Sequence, residues 1–189
     1  MTAPRARISW STEHGELVAA EPTAAEVAAH APALARAYND PHNAPLLGHE
    51  SLLTEADVLA HYAGLAHGFL LFRDGVLAGD GDVRGIADGA AEFAFLIASP
   101  GAQGKGLGTR FATMIHAFAF ARLGLTRMYA SIVPANVASR RVFDKLGYAL
   151  DGSAAARAYA DEDDDVVMAI DRATFQRVHA AALAQIIVR

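Results

Sequence analysis

The chain has no cysteine. That excludes disulfides, zinc held by thiolates and a cysteine nucleophile. It also lacks any apolar run approaching the ~18 residues that cross a bilayer, so no membrane partner is expected. Met1 to Trp10 carries Arg5 and Arg7 without a following apolar stretch, so it does not read as a secretory signal. Positive charge is scarce: Lys and Arg number 16 against 21 Asp and Glu, a formal net charge of -5. The tightest basic group is Arg140, Arg141 and Lys145. Such a surface repels phosphate backbones, so no nucleic-acid partner is expected. There is no internal repeat. What is present is 53% hydrophobic residues in 189, enough for one compact domain with a real core and too little for two. The expectation is a single cytoplasmic domain, monomer or homodimer, with a core over about 14–170 and a C-terminal helix over 171–189.

Local patterns divide the chain into alternating elements. The first ten residues read as a loose lead-in and Glu16 to Ala20 as a short strand. Thr23-Ala24-Ala25-Glu26 is a capping box that opens a helix to about Tyr38. Residues 39–49 hold two prolines, two asparagines and two histidines, and read as loop. Thr54 to Ala63 reads as a second helix. Phe69–Phe72, Val76–Val83 and Glu92–Ala98 read as strands, separated by turns at Asp74-Gly75 and Asp88-Gly89. Thr109 to Arg122 has Phe111, Met114, Ile115 and Phe118 at helical spacing. A strand over 126–133 and a helix from Asn136 to Leu146, stopped by Gly147, follow. Strands near 148–158 and 165–170 and a final helix over about 172–188 complete a mixed α/β order.

The most informative stretch is Gln103-Gly104-Lys105-Gly106-Leu107-Gly108-Thr109, which follows an apolar strand and opens an amphipathic helix. Backbone N–H groups and the helix dipole, about half a positive charge, make such a turn an anion site. The glycines allow close approach to the backbone. The spacing fails the P-loop, because Lys105 is followed by Gly106. It also fails the dinucleotide fingerprint, because glycines 104, 106 and 108 run G-x-G-x-G.

These residues resemble those of the GNAT acetyltransferases, whose pyrophosphate loop reads Gln/Arg-x-x-Gly-x-Gly/Ala. Gln103, Gly106 and Gly108 fit it without a gap. The segment from Asn136 through Ser139 and Phe143 to Lys145-Leu146-Gly147-Tyr148 is similar to the family's asparagine helix. The likeness holds in element order from about Leu17 to Ile170 and in motif from Ala91 to Tyr148. It implies a mixed, mostly antiparallel sheet splayed at its middle, with helices on both faces. It also implies acetyl-CoA as acyl donor and no metal; no histidine pair has the i, i+4 spacing of a helical metal site.

The resemblance assigns roles residue by residue. Ala91-Glu92-Phe93-Ala94-Phe95-Leu96 resembles the strand that carries the general base of the family's histone acetyltransferases, which points to Glu92. A glutamate opening an apolar strand is expected to be half buried, with a raised pKa. Leu96, Ile97 and Ala98 are expected to offer backbone groups to the pantetheine arm, one N–H polarising the thioester carbonyl. Lys105, Leu107 and Thr109 are expected at the pyrophosphate with Gln103, Gly104, Gly106 and Gly108. Asn136 and Ser139 are expected to hydrogen-bond the cofactor, although Asn136 also stands where a helix cap belongs. Many relatives place a tyrosine at Phe143 to protonate the departing thiolate. With phenylalanine there, Tyr148, Tyr129 and Tyr159 are the candidate acids, Tyr148 first. His42 and His49 fall in the loop that borders the family's acceptor pocket. The acceptor is expected to be a small-molecule amine or a protein N-terminal amine. The acidic turn from Asp161 to Asp165 is a solvated tip or an attractor of cations. The alternative is an acyl-CoA-binding module without turnover, which Phe143 favours and Glu92 opposes.

Overall fold

The computed structural model describes residues 5–48, 51–98 and 105–189. Gln103, Gly104 and His49 lie outside them. Among the described residues, nine strands form one sheet in the order β7-β8-β6-β5-β4-β3-β2-β1-β9. In chain order the elements are β1 (Arg7–Thr12), β2 (Gly15–Ala20), α1 (Ala24–Tyr38), α2 (Glu55–Gly64), β3 (His67–Arg73), β4 (Val76–Ala87) and β5 (Ala90–Ile97). There follow α3 (Leu107–Ala121), β6 (Arg127–Ile132), α4 (Val137–Leu146), β7 (Ala149–Leu150), α5 (Ala154–Arg157), β8 (Val166–Asp171), α6 (Arg172–Val178), α7 (Ala180–Leu183) and β9 (Ile187–Val188). No helix among the described residues is long and apolar enough to cross a membrane.

Three expectations need correction. The lead-in contains β1, which completes a hairpin with β2 and buries Ile8. The strand expected over 148–158 is two residues long, because Ser153 caps a helical turn by accepting from the Ala156 N–H at 3.2 Å. The C-terminal helix stops at Val178. Beyond α7 the chain pairs Val188 with Ile8 and Ile187 with Ser9. These β-branched residues favour extended backbone, and the open edge of β1 supplies their partners.

Alternation along the strands separates the two layers. Phe69 and Leu71 face α3, while Leu70 faces Val27, Leu34 and Val58 of α1 and α2. All sheet neighbours are antiparallel except β5 and β6. That parallel pair is joined only over Ala90↔Arg127, Ala91↔Met128 and Glu92↔Tyr129. Beyond Glu92 the two strands run on without a ladder, which opens the sheet at its middle.

A polar pair is sealed inside the α3 layer. Fully buried His116 contacts the Ala112 carbonyl through Nδ1 at 2.7 Å and the Tyr148 hydroxyl through Nε2 at 2.5 Å. A carbonyl can only accept, so Nδ1 carries the proton and Nε2 accepts from Tyr148. Burial lowers the imidazole pKa to about 4. A group whose folded pKa is depressed below the unfolded ~6.5 contributes less stability as pH falls through that window. A shift of this size corresponds to about 3 kcal/mol lost between pH 6.5 and 4. Urea unfolding across that range will show the decline. His116→Met paired with Tyr148→Phe will flatten it, and an unchanged slope in that double variant would refute the assignment.

Candidate active site

The splay, the start of α3 and the start of α4 converge on one channel. Gly106, at φ 76°, turns the chain into α3 with no side chain capping the helix and no acidic residue in its first turn. The helix N-terminus is thus left electropositive. A Cβ on Gly108 would come within 3.0 Å of the Phe95 ring, so this turn packs against β5 only because it is glycine. The resulting groove, about 350 Å³, is walled by Phe95, Leu96, Ile97 and Gly106 to Thr109 on one side. Leu46, Leu47, Asn136, Ser139, Val142 and the basic Arg141 and Lys145 form the rest, with His42 at its border. An apolar trough ending at a helix N-terminus and cationic side chains suits a thioester arm with a phosphorylated end.

A cavity of about 440 Å³ continues the groove, sharing Leu46, Leu47, Phe95, Leu96, Asn136 and Ser139 with it. Its far end is acidic: Asp57, Asp82, Asp161, Glu162 and Asp165 line it beside His61 and Arg84. Phe143 lies along the same cavity.

Asn136 holds the two walls together. Its Oδ1 accepts from the Ser139 N–H at 2.9 Å, and its Nδ2 donates to the Leu46 carbonyl at 3.0 Å. Both ends of the amide are therefore engaged with the protein, and the side chain acts as a spacer between the two walls of the groove. Asn136→Ala will cost about 1 kcal/mol through the lost cap and will raise the acetyl-CoA KM several-fold. Asn136→Asp keeps the cap but not the donor to Leu46, so its stability should hold while its KM rises. Equal KM values in wild type and both variants would disprove the spacer role.

Several expected site residues are placed differently. Glu92 is buried rather than half buried, and sits on the last rung before the splay. Arg84, directly opposite on β4, donates to its two oxygens from Nε at 2.9 Å and Nη2 at 2.8 Å, and to Asp161 at 2.9 Å. Burial raises the Glu92 pKa and Arg84 opposes the rise. Glu92 faces an adjoining cavity of about 830 Å³ with Asp88, Arg127 and the stacked Tyr129 and Tyr159. Both its oxygens accept from Arg84, where a half-buried carboxylate was expected. Tyr148 lies in the α3 core and lines neither the groove nor the acidic cavity, so its hydroxyl has no route to a thiolate. The Ala98 N–H donates to the Ala78 carbonyl at 2.8 Å, which removes it as an oxyanion donor. Amides alternate along a strand, so the N–H groups of Phe95 and Ile97 point to the β6 side. Lys105 is exposed beside the groove's mouth. Among the described residues no group of His, Asp and Glu could hold a metal.

Sequence reasoning missed Asp82 and His61. The available signal was Gly79-Asp80-Gly81-Asp82, two acids on one face of a strand whose neighbours are apolar.

The family model of the acetyltransferase (GNAT) domain matches residues 18–149. The chain belongs to the GNAT acetyltransferases. It is thus an N-acetyltransferase with acetyl-CoA as acyl donor. This GNAT chain superposes on Mycobacterium smegmatis RimJ in complex with CoA-disulfide at TM-score 0.75, with 19% identity over 97% of both chains. It superposes on the aminoglycoside acetyltransferase AAC(6')-Ib in complex with coenzyme A at 0.69, with 22% identity over 85% of this chain and 98% of the other. For the ribosomal-protein-S5-alanine acetyltransferase of Vibrio fischeri the TM-score is 0.64, with 21% identity over 86% and 96%. At these identities the likenesses speak for the fold. A sequence search of the curated proteins returns no match.

Proposed function

We propose that this GNAT enzyme, a cytoplasmic protein, acetylates a primary amine by direct attack, with the donor in the groove and the acceptor in the acidic cavity. The observation that carries this reading is the continuity of the two. One end offers a helix N-terminus and cationic side chains, the other offers carboxylates, and the splayed strands lie between. A CoA thioester is anionic at one end, and an amine at neutral pH is a cation, so the two charges of the channel match the two reactants. Among the described residues Ser139 is the one side-chain hydroxyl common to both parts of the lining, which supports it as proton donor to the departing sulfur. Five carboxylates favour a small amine carrying more than one positive charge over a protein N-terminus. The structural relatives include an enzyme for aminoglycosides and one for a ribosomal protein, so both classes belong in the test.

Thiol release from acetyl-CoA should be measured with butane-1,4-diamine, glycinamide, an aminoglycoside and an alanine-initiated peptide. Turnover fastest with the polycationic small amines is expected. A second reading, acyl-CoA binding without turnover, draws on Phe143 and on the occupied Glu92. Calorimetric binding of acetyl-CoA with no thiol release from any amine would establish that reading and end ours.

A further inference from the structure

We propose that Asp82 is the residue that receives the acceptor's ammonium and takes its proton before attack, with His61 as its positioning residue. The inference rests on the amine-acetylation reading above. Asp82 lies on β4 directly opposite Ala94, in the part of β5 that has parted from β6. Its side chain is 9% exposed and lines the channel together with Ala94, Leu96 and Ser139.

Its two oxygens are in different positions. Oδ2 stands 3.5 Å from His61 Nε2, while Oδ1 has no hydrogen bond and is 3.9 Å from Arg84 Nε. A buried carboxylate oxygen without a donor is costly. Oδ1 is itself closed to solvent, and an ammonium entering the channel meets the carboxylate at its 9% exposed part.

The neighbouring carboxylates other than the exposed Glu162 are otherwise engaged, Asp161 by Arg84. Asp80 also has an unbonded Oδ1, but its other oxygen accepts from Tyr38 and Tyr62, and it does not line the channel. Glu92 is held by Arg84 through both oxygens. Asp165 accepts from Ser131 at 2.6 Å, and Asp57 is bound into the α2 capping box. Charged and titratable groups face Asp82 from three sides: His61 and Tyr62 from α2, Tyr38 from α1, and Asp80 and Arg84 from β4. Glu92 and Asp161 stand behind Arg84.

In the step, one ammonium proton passes to the Asp82 carboxylate. The freed nitrogen lone pair forms the N–C bond at the thioester carbonyl carbon. The C–S bond breaks with its electron pair on sulfur. The second proton lost by the nitrogen ends on that sulfur as the free thiol. Asp82 returns its proton to solvent.

The test is Asp82→Asn in the full chain, assayed by thiol release with the fastest amine of the panel and by calorimetry with acetyl-CoA. At pH 7 turnover should fall about 10²–10³-fold, the range for a general base, with acetyl-CoA affinity within threefold of wild type. The deficit should shrink at least tenfold as pH rises to the amine's own pKa, where no base is needed. Asp82→Ser gives the same pH signature should the Asn variant fail to fold. His61→Gln should lose about tenfold and move the acidic limb of the pH profile. Turnover of Asp82→Asn within threefold of wild type, or a deficit independent of pH, overturns the assignment alone. Wild-type protein that acetylates no amine removes the amine reading, and this inference with it.

Discussion

Arg84→Met will be among the most destabilising single substitutions in the sheet. The arginine donates to both oxygens of a carboxylate that is 7% exposed. Removing one partner of a buried pair strands the other charge, at about 3–5 kcal/mol. Arg84 is itself a third exposed, so the lower end applies. The loss of Asp161 adds little, because that side chain is 58% exposed. The pH dependence identifies the cause. Without Arg84, burial and the nearby Asp161 and Asp82 charges act on Glu92 unopposed and raise its folded pKa further above the unfolded value. The folded variant then binds the extra proton, so its stability recovers relative to wild type as pH falls through that raised pKa. Thermal melts at pH 8 and pH 5 should show the gap narrowing. Glu92→Gln added to Arg84→Met should restore part of the loss at pH 8, since the charge stranded at Glu92 is removed while Asp82 still lacks its arginine. A gap that is constant with pH, or a double variant no better than the single, would show that Arg84 supports the sheet in some other way.

The second large effect is at Gly79. A Cβ there would lie 1.9 Å from the Leu96 carbonyl oxygen, and the residue's φ is +156°. The obstacle is backbone, so no side chain can yield. The position adjoins the irregularity where β3 shifts register between Leu71 and Phe72. Gly79→Ala must push β4 from β5 at Leu96 and Ile97, in the channel wall. The expected cost is about 3–5 kcal/mol, the range of strained backbone with lost packing. Acetyl-CoA affinity should fall with it. Gly75→Ala is the control: φ is +76° there too, but nothing lies within 4 Å of the added carbon. Its cost should stay near ~1 kcal/mol. Urea unfolding of the two variants side by side decides the matter. Equal costs would show that the close approach of β4 to β5 does not constrain this position.

Much of the donor side was legible because local patterns specify it. The capping box at Thr23, the helix start at Thr54, the Gly106 turn and the Gly147 stop each act within a few residues, and each is found where the pattern places it. The errors lie where a distant partner overrides local preference. The alanine-rich C-terminus reads as one helix until the edge of β1 offers Ile187 and Val188 a ladder. Tyr148 reads as an acid near the sulfur until His116, 32 residues earlier, takes its hydroxyl into the core.

The sequence by itself determined the family, the α/β order and the groove built from 106–109 and 136–139, because those motifs are contiguous and their chemistry is carried largely by backbone. Which carboxylates line the channel was decided only by tertiary structure. Strand alternation assigns a residue to a face, but cross-strand register chooses its neighbour. Register sets Arg84 opposite Glu92 and Ala94 opposite Asp82. The first pairing neutralises the glutamate that the motif singles out. The second sets Asp82, largely buried, beside the small Ala94 where the sheet has opened.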